Sequence, residues 1–266
     1  MRQILDQNGE LVDVAPDLTD DEMVNLYRKV LTTRMVDEKL LNLQRQGRIP
    51  AYYQVSGQEA HVGAALALRP HDWVFTAYRE LGIWITRGMD LRSAVGFWMG
   101  IPDDDDIWDV RGHRITRLNA TIGTHLPHAV GFGYANRLRD DDSVSMAVFG
   151  DGATSESDFH AAMNFAGVWR TPTVFLCQNN QVAQSTTVDR QTAAETLARK
   201  ADAYGFPGIR VDGMDPLAMY QVTREAVERA ASGEGPTLIE MYTYRYAPHS
   251  TYDGTPVYRT DDDEQA

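Results

Sequence analysis

Between Ser143 and Asn180 the chain reads "SVSMAVFGDGATSESDFHAAMNFAGVWRTPTVFLCQNN", two short apolar runs separated by one helical segment, and this alternation constrains the fold more than any other stretch. The pattern runs from Gly123 onward. It predicts a helix to about Arg139, a strand over 143–149, a helix over about 155–168, a strand over 173–178, a helix over about 192–204, a strand near 208–211, a helix over 215–231 and a strand over 236–242. Strands alternating with helices of crossover length give the α/β class, a mostly parallel sheet flanked by helices. In open sheets of this kind ligands bind beyond the carboxyl ends of the strands. Gly150, Asp151 and Gly152 follow the first apolar run directly, and Asn179 and Asn180 follow the second, so both polar clusters fall on one rim.

The N-terminal third is helical instead. Thr19 with Glu22 makes a capping box, Leu26, Val30, Leu40 and Leu43 recur at roughly helical spacing, and Gly47 is a natural stop. The small-residue stretch "GQEAHVGAALALRP" reads as a helix ending before Pro70, "WVFT" as a short strand, and two further helical segments flank an acidic loop at 103–106. No repeat, low-complexity linker or second boundary interrupts the chain. It reads as one α/β unit over 1–266 with an N-terminal helical extension of about residues 1–50.

Composition excludes several partners. A net charge of −13 and a pI near 4.9 argue against nucleic acid, because phosphate binding needs a basic face. There is no apolar run long enough to cross a membrane and no signal-peptide pattern at "MRQILDQNGE", so a cytoplasmic protein is expected. The acidic runs at 103–106, 140–142 and 261–264 read as solvated loops, and a surface with only Lys29, Lys39 and Lys200 as lysines suits a high-salt interior. The single cysteine, Cys177, sits in a strand and reads as a small core hydrophobe. His125 and His128 have metal-like spacing, but the intervening proline and the lack of acidic or cysteine partners favour a structural reading.

Asp151 and Asn180 offer a carboxylate and a carboxamide at neighbouring strand ends, an oxygen set that suits magnesium when the remaining ligands come from phosphate and water. The glycines around Asp151 let the backbone approach an anion, and the start of the next helix presents free N–H groups to it. The pattern implies a magnesium-held diphosphate. "GDG" after a strand, then a helix, a strand and "NN", resembles the thiamine diphosphate motif. The stretches "GDGATSESDFHAAMNFA", "QNNQVAQST", "SGQEAHVGAAL", "AYRELG", "IGTHLPHAVGFGYA" and "YRYAPHSTYDGTPVYR" are similar, across nearly the whole chain, to the α subunit of the 2-oxoacid dehydrogenase decarboxylase component, the family of pyruvate and branched-chain 2-oxoacid dehydrogenases.

That resemblance implies a thiamine diphosphate-binding fold, its diphosphate-binding half. It implies Asp151, Asn180 and the Val182 carbonyl as magnesium ligands, and Gly152 and Ala153 as backbone donors to the diphosphate. Tyr78 and Arg79 match an aromatic and basic pair at the cofactor phosphates, Ile122 an apolar position under the cofactor, and Arg245 and His249 an active-site loop with His249 beside the reaction centre. The implied reaction is oxidative decarboxylation of pyruvate or a branched-chain 2-oxoacid with acyl transfer to a lipoyl group on a partner acyltransferase. The glutamate that activates the cofactor lies on a separate β subunit in this family, so Glu80 and Glu156 are not given that role, and an α2β2 heterotetramer is expected. The helix around "GQEAHVGAALAL" reads equally as a buried subunit contact or an ordinary core helix. Ser157 stands where many members have glycine, Gln178 where the branched-chain type has a phosphate-holding arginine, and His125 where some members have a potassium-binding glutamine. The chain ends in "YRTDDDEQA" where family members continue into further helices, so a C-terminal truncation or a short member is expected. An acetoin dehydrogenase α subunit, or a non-catalytic cofactor-binding member, are the alternatives. A nucleotide-binding protein is disfavoured because no P-loop occurs and the lone "GFG" at 131–133 lies in a helical segment.

Overall fold

The apolar runs become strands because each is buried on both faces. In the computed structural model, which describes residues 1–101 and 108–253, the strands are β1 (Trp73–Phe75), β2 (Ser145–Gly150), β3 (Thr173–Asn179), β4 (Val182–Ala183), β5 (Thr186–Thr187), β6 (Gly208–Asp212) and β7 (Thr237–Tyr242), of which β4, β5 and β6 are only partly buried. The acidic runs at 103–106 and 261–264 lie outside the described residues. Strands β1, β2, β3, β7 and β6 form, in that order, a sheet whose pairs are all parallel, while β4 and β5 make a separate antiparallel hairpin.

The helices are α1 (Asp20–Arg45), α2 (His61–Ala67), α3 (Leu81–Thr86), α4 (Leu91–Trp98), α5 (Val110–His113), α6 (His125–Leu138), α7 (Ser157–Trp169), α8 (Val188–Gln191) and α9 (Pro216–Ala231). Met146, Val148, Val174, Leu176, Ile239 and Met241 face one core, shared with α1, α2, α3 and α9. Their neighbours Ala147, Phe149, Phe175, Cys177 and Leu238 face the other, shared with α6 and α7. This double cover is why the strands lack polar alternation. Cys177 is a fully buried member of the second core, and burial pushes its thiol well above the usual range, as the core reading requires. Among the described residues no helix is long and apolar enough to cross a membrane.

The Thr19–Glu22 capping box closes as expected, Glu22 N donating to Thr19 Oγ1 and Thr19 N to Glu22 Oε2. The start of the chain pairs with the sheet edge. Arg2 N donates to Arg210 O at 2.8 Å and Asp212 N to Arg2 O at 2.9 Å, which lengthens the sheet beyond β6. Asp215 serves both neighbours: Oδ1 caps α9 through Leu217 N and Ala218 N, and Oδ2 accepts from Ile4 N and Leu5 N.

Helix α2 is a core helix. Its residues His61 to Ala65 and Ala67 are buried within this chain, and a Cβ at Gly63 would stand 2.2 Å from Pro216 O, so the small residues serve backbone-close packing against α9. One expected element differs. The segment 192–204 is not a continuous α-helix; only Ala198–Tyr204 is helical, and as a 3-10 run. Thr192 Oγ1 accepts from Ala194 N and Thr196 Oγ1 from Arg199 N, local bonds that compete with a helical ladder, while Ala198 N is taken by the Glu240 carboxylate at 2.9 Å.

Candidate functional site

The register of β2 and β3 sets Gly150 opposite Gln178, so Asp151 and Asn180 leave the sheet side by side at its carboxyl edge. After Gly150 the chain turns at once into a short 3-10 segment, Asp151–Ser155, whose leading backbone N–H groups have no partner within the helix. The loop after β3 is strained, with Gln181 at φ 72° and Gln184 at φ 54°, side-chain-bearing residues in the left-handed region. β4 and β5 lie back against the Asp151 segment, a Cβ at Gly152 standing 2.8 Å from Ala183 Cβ. Gln191 Nε2, at the end of α8, donates to Asp151 Oδ2 at 2.7 Å and to Thr186 O at 2.9 Å, clamping the hairpin to the carboxylate.

These elements enclose a cavity of about 260 Å³. Tyr78, Arg79, Ile122, Asp151, Gly152, Ala153, Asn180, Val182 and His249 all line it. Arg245 does not: it lines a neighbouring cavity of about 710 Å³, shared with Asn180 and Val182, where its Nη1 donates to Ala247 O at 3.2 Å. Of the two histidines with metal-like spacing, His125 is buried and bonds Val148 O at 2.8 Å through Nε2, whereas His128 is exposed. They do not converge.

The electrostatics centre on a buried carboxylate that Gln191 hydrogen-bonds and on which Arg245 and Arg79 act through their charge. Asp151 is 2% exposed and burial pushes its carboxyl above the usual range, with the Gln191 bond opposing. A cation there would relieve the penalty. Among the described residues no three His, Cys, Asp or Glu side chains cluster to hold a metal, so a cation at Asp151 would draw on Asn180 Oδ1, backbone carbonyls and ligand oxygens, a donor set that fits magnesium. His249 is pushed down to about 4 by burial, then by the charges of Arg79 and Arg245, so it is neutral at neutral pH. Arg79 braces the segment that carries it: one Nη donates to His249 O at 2.9 Å, the other to Gln54 O, and the guanidinium lies 5.8 Å from the Tyr53 ring centre and 5.7 Å from that of Tyr78.

Sequence reading missed a buried chain beneath the cavity. Gln178 Nε2 donates to Glu80 Oε1 at 3.0 Å, and Gln178 Oε1 pairs with His61 Nδ1 at 3.0 Å. Burial pushes Glu80 up to about 8 and His61 down to about 4, so both are neutral at pH 7 and a neutral glutamine joins them. Glu80 therefore carries a proton in the folded chain between its usual 4.5 and about 8 that the unfolded chain has lost. Its contribution is destabilising, grows as pH rises through that window and is complete above it. The difference in Tm between Glu80→Gln and the natural chain should shift by several degrees in favour of the variant from pH 5 to pH 8, whatever constant offset the amide brings. Thermal unfolding across that range checks this, and a gap independent of pH refutes the buried, protonated Glu80.

Comparison with known proteins identifies the family. The family model described as "Dehydrogenase E1 component" matches residues 27–266. The 3-methyl-2-oxobutanoate dehydrogenase subunit alpha of Mycobacterium tuberculosis is 47% identical over 252 residues, 93% of this chain and 67% of that protein. The pyruvate dehydrogenase E1 component subunit alpha of Staphylococcus aureus is 42% identical over 268 residues, 99% of this chain and 72% of that protein. With a match over nearly the whole chain and a parallel sheet that ends in the predicted polar rim, this chain belongs to the dehydrogenase E1 component family.

Proposed function

We propose that the chain is the α subunit of a 2-oxoacid dehydrogenase decarboxylase, holding thiamine diphosphate through magnesium at Asp151, Asn180 and the Val182 carbonyl. The observation that carries the reading is the convergence of Asp151 and Asn180 on one cavity, with the Gly152–Ala153 turn opening into it. Bound there, the cofactor supplies the electron sink for decarboxylation of pyruvate or a branched-chain 2-oxoacid. The chain's own residues bind and orient. Gly152 and Ala153 would donate backbone N–H groups to the diphosphate, Ile122 would support the cofactor from below, and Tyr78 and Arg79 would shape the wall that keeps His249 over the cavity. Neutral His249 would offer a ring N–H, or a ring nitrogen as acceptor, to a hydrogen bond at the reacting end. Arg245, in the adjoining cavity, would act on the His249 segment from behind.

The partners we propose are a β subunit, in an α2β2 assembly, and a lipoyl-bearing acyltransferase that takes the acyl group; the acidic surface is in keeping with a cytoplasmic complex. The test is to mix the chain with a β chain of the same type, supply magnesium, thiamine diphosphate and lipoyl domain, and measure acyl transfer from pyruvate, 3-methyl-2-oxobutanoate and acetoin. Transfer from one of the two 2-oxoacids is the expected result. Turnover of acetoin alone would reassign the substrate class, and no turnover of any would overturn the enzymatic reading.

A further inference from the structure

We propose that Gln58 is a further cofactor-holding residue, its amide nitrogen donating to the diphosphate that Asp151 and Asn180 hold through the metal, and its amide oxygen fixing the orientation of Asn180. The inference rests on the reading in the preceding section. Gln58 is fully buried, lines the same cavity and lies in the turn that leads into α2, far in sequence from the strand ends it meets.

The orientation of both amides follows from donors that cannot be reversed. Val182 N can only donate, and it does so to Asn180 Oδ1 at 3.4 Å. Asn180 Nδ2 therefore points the other way, to Gln58 Oε1 at 3.2 Å. That leaves Gln58 Nε2, which is buried and has no hydrogen-bond partner. A buried donor without an acceptor is destabilising and rare, so its persistence at a ligand cavity points to an acceptor that arrives with the ligand.

The turn cannot swing this donor away. Gln58 N is held by Val55 O at 2.8 Å, Thr243 Oγ1 donates to Gly57 O, and Gly57 adopts φ +91° where a Cβ would meet Tyr244 O at 2.0 Å. Only glycine fits there. The neighbourhood selects the acceptor. Gln58 shares a hydrogen bond with the proposed metal ligand Asn180, so its free N–H lies next to the coordination shell, where the ligand atoms are anionic oxygens. A second N–H in that position strengthens the hold on an anion without adding a charge that would compete with the metal.

The experiment is calorimetric titration of thiamine diphosphate, at saturating magnesium, into the enzyme assembled with its β chain, for the natural chain, Gln58→Met and Gln58→Glu. Methionine keeps the volume and removes both polar atoms; glutamate keeps an acceptor for Asn180 but replaces the donor with a charge facing the diphosphate. The expected order of affinity is natural chain, then Gln58→Met weaker by about tenfold or more, then Gln58→Glu weaker still. Any other order overturns the proposal, including Gln58→Met with unchanged cofactor affinity and a raised KM for the 2-oxoacid, which would assign the donor to the substrate. Should Gln58→Met fail to fold, Gln58→Glu, closer in shape and hydrogen bonding, decides alone: affinity equal to the natural chain refutes the donor role. A natural chain that takes up no cofactor overturns the functional reading and this inference together, whereas equal binding by all three overturns this inference only.

Discussion

Asp151→Ala should abolish magnesium-dependent binding of thiamine diphosphate to the assembled enzyme, a loss of at least about a hundredfold in affinity, since removing even a residue that only orients a metal ligand commonly costs ten- to a hundredfold. Among the described residues Asp151 is the one carboxylate at the junction of the β2 and β3 ends, and Asn180 and a backbone carbonyl are neutral. Without it the site offers dipoles but no charge to offset the desolvation of a divalent cation. The same burial makes Asp151 costly in the metal-free chain, because its carboxyl is held above the usual range with Gln191 as its side-chain partner. Asp151→Asn separates the two effects. It should lose the metal as alanine does, yet leave the metal-free chain at least as stable as the natural one at neutral pH, since it removes a buried charge and keeps the shape. Calorimetry with and without magnesium, paired with thermal unfolding of the metal-free proteins, measures both. Unchanged magnesium-dependent affinity in either variant would remove Asp151 from the metal site.

What was legible in the sequence was what short-range pattern encodes. The strands β2 and β3 stood out because burial on both faces demands unbroken apolar runs, and the rim followed because parallel strands bring Gly150 and Gln178 to the same level. The capping box at Thr19 is a contact across three residues and was readable for that reason. What was not legible depends on distant partners. Gln178 meets His61 across 117 positions and Gln58 meets Asn180 across 122, so no periodicity could announce either pair. The cue for Gln178 was negative: it stands where a related type has an arginine. The structure supplies the counterpart, since a neutral amide can join a protonated Glu80 to a neutral His61, and a guanidinium there would demand an ionised partner. The misread segment 192–204 failed for the opposite reason. Its composition favours a helix, but two threonines and the Glu240 carboxylate capture the backbone N–H groups that the helix needs.

The isolated chain, folded and supplied with saturating thiamine diphosphate and magnesium, should release no carbon dioxide from pyruvate or 3-methyl-2-oxobutanoate, and activity should appear when a β chain is added. The residues around the cavity explain the expectation. Activating the cofactor needs a carboxylate placed against its aminopyrimidine ring, and among the described residues the carboxylates lining this cavity are Asp151, Glu80 and Glu156. In the proposed reading Asp151 holds the metal. Glu80 is fully engaged, accepting from Arg79 N at 2.9 Å and from Gln178 at 3.0 Å, and it holds its proton at neutral pH. Glu156 is exposed, and its Cβ and Cγ lie 3.3 and 3.6 Å from the position a Cβ at Gly123 would occupy. The cavity lies on the carboxyl-edge side of the sheet. A second chain that closes this side would exclude water and bring the missing carboxylate in one step. Carbon dioxide release measured on the chain alone, on the β chain alone and on their mixture discriminates the cases. Robust turnover by the lone chain would mean that one of its own carboxylates activates the cofactor, and Glu156→Gln would then identify which.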